Sequence, residues 1–134
     1  MNDYKHLDLL QEAIARMASN SFAAKGWSIG LTTALIAYSL RGNNLRLVWV
    51  AVIPVALFWS LDAYYLALER GFRELFKAAV ETAQKGGPIT FDMQPGEVSL
   101  KIWIRTMVRP AVLLVHSPLL GVLVAMMIVG FRMR

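Results

Sequence analysis

The sequence predicts an all-α integral membrane protein with about three transmembrane helices, and three observations predict it. The chain is 57% hydrophobic with a mean hydropathy of +0.49, and its apolar residues gather in long runs, not in the scattered patterns of a soluble domain. One such run, Val50–Leu61, carries no charge, yet it passes without a proline after Pro54 into Asp62, the pair Tyr64–Tyr65 and the charged series Glu69, Arg70, Arg73, Glu74, Lys77, Glu81 and Lys85. That order describes a helix leaving hydrocarbon, crossing an aromatic interfacial belt and entering water. Finally, 14 Lys/Arg against 9 Asp/Glu give a formal charge of +5, an excess that in a membrane protein first reports topology.

At 134 residues the chain has room for one domain, and the elements follow in order. Residues 1–21 predict an amphipathic helix outside the bilayer, with Asn2 or Asp3 as its cap and Leu7, Leu10, Ile14 and Met17 as one apolar stripe. Glu12 and Arg16 stand four apart in the favourable order on its wet side. Nothing here has the basic start and apolar run of a cleavable signal. Residues 22–40 predict span one, whose only charge, Lys25, sits at its start, where a lysine snorkels. Gly26, Gly30 and Ala34 form a small-xxx-small ridge, expected to pack against span two.

Arg41–Arg46 is a polar turn that folds the first two spans into an antiparallel hairpin. Span two covers 47–68, and its helix continues over 69–85 as a cytoplasmic extension. There Leu68, Phe72, Leu75, Phe76 and Val80 form a stripe matched to that of the N-terminal helix. The pairs Glu69–Arg73, Arg70–Glu74, Lys77–Glu81 and Glu81–Lys85 lie on the wet face. Lys85-Gly-Gly-Pro88 ends the helix. Residues 86–97 read as a loop. Residues 98–109 read as an interfacial helix, with Lys101, Arg105 and Arg109 on one face, before span three over 110–131. With the N-terminus inside, ten basic residues fall on the cytoplasmic side and four (Arg41, Arg46, Arg132, Arg134) outside, so N-in, C-out is the expected topology.

The chain has no cysteine, which excludes disulfides, thiolate zinc sites and iron–sulfur clusters. No phosphate loop, dinucleotide fingerprint or nucleophile elbow is present, and the two histidines, His6 and His116, fall in different compartments of the expected topology; the chain reads as a non-enzyme without a cofactor. Three residues are candidates for a pore or gate. Asp62, a carboxylate near hydrocarbon, needs a partner, and Lys25 on the neighbouring helix is the expected one. His116 lies deeper, as a neutral imidazole bonded to a neighbouring helix or as a proton sensor. The cations Arg70, Arg73, Lys77, Lys101 and Arg105 read either as lipid anchors or as a site for an anionic ligand, repeated around the axis of an oligomer.

Asn20–Trp27 together with Phe58–Arg73 resembles a family of small bacterial membrane proteins of nucleotide-signalling antiphage systems, Hailong-type channel effectors in particular. The resemblance rests on helix-packing and interfacial positions within these two stretches. It implies a homo-oligomer, taken as a tetramer, in the bacterial inner membrane. It also implies a partner nucleotidyltransferase whose nucleotide or short single-stranded oligonucleotide product holds the channel closed until its loss depolarises the cell. The alternative reading is a non-conducting anchor of a larger complex.

Overall fold

The structure is a computed structural model that describes residues 2–42, 44, 46–88 and 90–132. The side chains of Asn2 and Asp3, expected to cap the first helix, lie outside the described residues, as do Asn43 of the turn and Arg134 of the basic-residue count. Among the described residues the chain is all-helical, in the order α1 (Asn2–Arg41), α2 (Leu47–Gln84), α3 (Leu100–Met107) and α4 (Pro110–Arg132).

The amphipathic helix expected over 1–21 and the span expected over 22–40 are one unbroken helix of 40 residues, about 60 Å long at about 1.5 Å per residue. The sequence explains the continuity. Buried positions recur at three and four through His6, Leu10, Ala13, Ser21, Ala24, Ser28, Thr32 and Ser39, with Met17 and Leu35 half-buried between them. One seam therefore runs along the whole helix, and no proline interrupts it. Its first half is apolar apart from His6. Its second half is built mainly of serine and threonine.

The α1 seam packs against α2 in an antiparallel hairpin. The turn is closed by Gly42 N–H donating to the Tyr38 carbonyl (3.0 Å), Asn44 N–H to the Ser39 carbonyl (3.0 Å) and the Ser39 hydroxyl to the Asn44 carbonyl (2.8 Å). Near the turn, Val48, Ala51 and Val55 of α2 and Leu123 of α4 are fully buried, with Leu35, Ile36, Leu119, Leu120, Met126 and Met127 around them. Two helices, α2 and α4, are long and apolar enough to cross a membrane. α1 does not reach that mark, because Lys25, Ser28, Thr32, Thr33 and Ser39 dilute its apolar residues.

The small-residue ridge corrects the expectation placed on it. Gly26, Gly30 and Ala34 face away from α2 and are exposed, and a Cβ added at either glycine meets nothing within 4 Å. The seam of Ser21, Ala24, Ser28 and Thr32 occupies the face toward α2, and its side chains are small enough to give close packing on their own.

Beyond α2 the chain turns at Gly86 (φ 69°) and returns along the hairpin as a strap. Gly71 is required for this path. A Cβ there would lie 2.8 Å from Pro95 Cβ and closer still to the Pro95 carbonyl oxygen. At the far end of the strap Phe91 stands edge-on to His6, ring centroids 5.0 Å apart, so the strap touches both helices of the hairpin. α3 starts where Ser99 Oγ accepts from Ile102 N–H (3.3 Å), two residues inside the expected 98–109. Two indoles clasp it to α2: Trp59 Nε1–H donates to the Met107 carbonyl (3.0 Å) and Trp103 Nε1–H to the Ser60 carbonyl (3.1 Å).

Candidate functional site

Two groups of polar side chains are candidates for a site. The first is a junction of three helices. Asp62 on α2 is fully buried, and its Oδ1 accepts from Lys25 Nζ and from the Ser21 hydroxyl of α1, each at 2.5 Å. Lys25 Nζ also donates to Ser21 Oγ at 2.9 Å. Ser21 and Lys25 are one turn apart, so both reach the same carboxylate oxygen from one face of α1. The Lys25–Asp62 partnership expected from the antiparallel register is thus present, with Ser21 as a third member. The lysine side chain keeps 18% of its exposure, so the pair is not wholly sealed from the surface.

His116 of α4 joins the same junction. Its Nδ1 lies 3.7 Å from Asp62 Oδ2 and 3.0 Å from the Val112 carbonyl of its own helix, and its ring stacks on Trp59 with centroids 5.9 Å apart. The sequence reading placed His116 deeper than Asp62 and bonded to another helix; instead the two groups meet, and the short bond runs to the preceding turn of α4. Among the described residues Asp62 Oδ2, His116 Nε2, the buried hydroxyls of Ser28 and Thr32 farther along α1 and Nδ1 of His6 near its start have no hydrogen-bond partner. Buried polar groups are nearly always satisfied, so five orphan atoms at these helix contacts mark them as unusual.

The second group lies where α2 passes from its apolar to its charged half. Arg70, Glu74, Glu97, Arg105 and Arg109 line a cleft of about 270 Å³ floored by Ala67, Gly71 and Thr106, with the Pro95–Val98 strap as one wall. Its size is at the small end of ligand pockets, which run from about 300 Å³. Among the described residues no carboxylate lies within 4.0 Å of any of the three guanidinium groups. Arg70 does not make the expected pair with Glu74; both side chains turn into the cleft.

The five cations expected to form one ligand site are therefore divided. Arg70 and Arg105 line the cleft, whereas Arg73 is exposed and bound to Glu69 (2.7 Å), Lys77 is exposed and stands 3.9 Å from Glu81, and exposed Lys101 does not line the cleft. Arg70 and Arg73 are three residues apart on one broad face of α2, but only Arg70 reaches the cleft, whereas Arg73 is held by Glu69. Arg109, which the sequence places on the same face of the interfacial helix as Arg105, belongs with Arg70 and Arg105 in the cleft. Its four-residue spacing from Arg105 was the available signal. Nothing in the spacing pointed to Ser21, to the Trp59 and Trp103 clasps or to Glu97.

Together these features define an all-helical chain with two helices suited to spanning a membrane, carrying a buried charged junction and an arginine-rich cleft. No protein-family model matches it, and neither a curated protein nor a solved structure shows significant similarity to it.

Proposed function

We propose that this chain is the subunit of a homo-oligomeric ion channel of nucleotide-signalling antiphage defence in a bacterial inner membrane. In this reading the N-terminus is cytoplasmic, α1 provides the third span, and the cleft of Arg70, Arg105 and Arg109 takes a nucleotide or a short single-stranded oligonucleotide from a partner nucleotidyltransferase. The observation that carries the reading is the gathering of three guanidinium groups, without an ion-pair partner among the described residues, at the point where α2 leaves its apolar half. Guanidinium forks suit phosphate oxygens, and Glu74 and Glu97 beside them suit the amino groups of a base. The outward ridge of Gly26, Gly30 and Ala34 supports assembly, since small residues let a second copy approach closely in lipid.

Because α2 carries both Arg70 and Asp62, a ligand that pulls the strap and α3 against α2 acts on the helix that holds the buried junction. The resemblance to Hailong-type effectors implies that the bound state is closed. The test is reconstitution of purified protein in liposomes with and without short oligonucleotides, reading ion flux together with oligomeric state. Wild-type protein should assemble and conduct without ligand and close with it, and its affinity should fall as salt rises. Arg70→Gln and Arg105→Gln should conduct in the presence of ligand. A protein that neither assembles nor conducts is a membrane anchor, and the channel reading falls.

A further inference from the structure

The ion itself is the next question, and the seam between α1, α2 and α4 bears on it. Asp62 and His116 are each fully buried, as are the hydroxyl-bearing residues Ser28 and Thr32. The short contact of His116 Nδ1 with the Val112 carbonyl needs a proton on Nδ1, because two lone pairs would repel. Nε2 therefore presents a lone pair, and among the described residues it has no partner. Asp62 Oδ2 is likewise unpartnered and lies 3.7 Å from the same ring. A base, a carboxylate oxygen and two hydroxyls, all buried and without a partner among the described residues, are the kinds of group that pass protons through membranes.

We infer that this seam is a proton relay, in which His116 carries protons between the Ser28–Thr32 face of α1 and Asp62. The inference rests on the channel reading and names the ion that such a channel moves. His116 Nε2 accepts a proton from water among the Ser28 and Thr32 hydroxyls, forming an imidazolium whose charge is balanced by Asp62. The imidazolium turns about its side-chain bonds and passes that proton to Asp62 Oδ2, breaking its own Nε2–H bond and forming the carboxylic acid. The acid releases the proton to water beside Lys25, which has access to the surface, and the restored carboxylate again faces the ammonium. The neutral ring returns with Nδ1–H on Val112. Among the described residues the charged group beside the imidazole is Asp62 from α2, whose other oxygen holds Lys25 of α1. α3 turns Thr106 inward, bonded to the Ile102 carbonyl, and its end directs Arg105 and Arg109 into the cleft.

The test uses full-length protein in liposomes without nucleotide, with a pH-sensitive dye inside and a potassium gradient clamped by valinomycin, alongside a separate potassium-flux assay. Wild-type protein should carry protons, more slowly in heavy water. His116→Gln and Asp62→Asn should lose about a hundredfold of the proton flux, the scale on which a positioned acid–base group acts. If either substitution prevents assembly, Ser28→Ala with Thr32→Val serves instead, since the pair keeps the seam's shape and removes only its hydroxyls; it should lower proton flux as well. Potassium flux without proton flux overturns the relay and leaves the channel standing. Proton flux unchanged in the assembled variants also overturns it. No flux of either ion from assembled wild-type protein overturns both readings.

Discussion

Asp62 ties α2 to α1 through two donors on one carboxylate oxygen. A carboxylate placed among apolar helices is strongly disfavoured unless charge and hydrogen bonds compensate it, and here Lys25 and Ser21 both donate to Oδ1. Removing either partner of the ion pair strands the other. Lys25→Ala or Asp62→Ala should each cost about 3 kcal/mol, and the double substitution should cost clearly less than their sum. Denaturation in mixed detergent micelles reads this directly; additive losses would show that the two charges do not interact. Gly71 leaves no room for a side chain beneath Pro95. Gly71→Ala drives a methyl group into Pro95, so the strap must shift at a cost of about 1–3 kcal/mol. Faster protease cleavage within residues 90–98, with the helices intact, is the expected outcome.

At the scale of helices, α1 presents two faces of different use. The inner face is committed to α2 through its continuous seam, whereas the outer face at Gly26 and Gly30 opens to empty space. Gly30→Leu should therefore leave the fold of a single chain unchanged and weaken self-association. Size-exclusion chromatography with light scattering on detergent-solubilised protein checks this, and an unchanged oligomer would place the interface elsewhere. α3 is a short helix of 8 residues held by two indole–carbonyl bonds. Trp103→Phe removes one of them and leaves the Ser60 carbonyl without that donor. A loss of about 1 kcal/mol is expected, together with faster amide exchange in α3.

Over the whole molecule, the open end of the hairpin is where α1, α2 and the strap meet. His6, Leu10 and Ala13 are buried there, and Phe72, Leu75, Phe76 and Val80 are half-buried on α2. Deleting residues 1–18 should uncover that α2 stripe while sparing the apolar core around Val48, Val55 and Leu123. Membrane insertion should persist, amide exchange over 72–84 should accelerate, and oligomer formation should weaken. A truncated chain with unchanged exchange in that stretch would mean that α2 finds another cover.

Local sequence determined the helices and their order, because the information is short-range. The uncharged run after Val50, the charges from Glu69, the Arg41–Arg46 turn and the Gly86–Pro88 stop are each readable within a few residues. The pairing of Lys25 with Asp62 was legible too, since a tight turn sets an antiparallel register and few charges lie in the apolar half. The continuity of α1 was less plain, because a change of polarity resembles a boundary when the seam beneath it is unseen. What required the tertiary structure was the direction each face takes once the helices pack. Whether Gly30 or Ser28 turns toward α2 depends on helix rotation, which small residues on both faces leave undecided. The convergence of His116 on Asp62 and of Arg109 on Arg70 depends on how α3 and α4 return after a non-helical strap, and no periodicity spans that gap. Packing settles both, by joining the two indole donors of α2 and α3 to carbonyls across their contact and by laying Pro95 against a glycine.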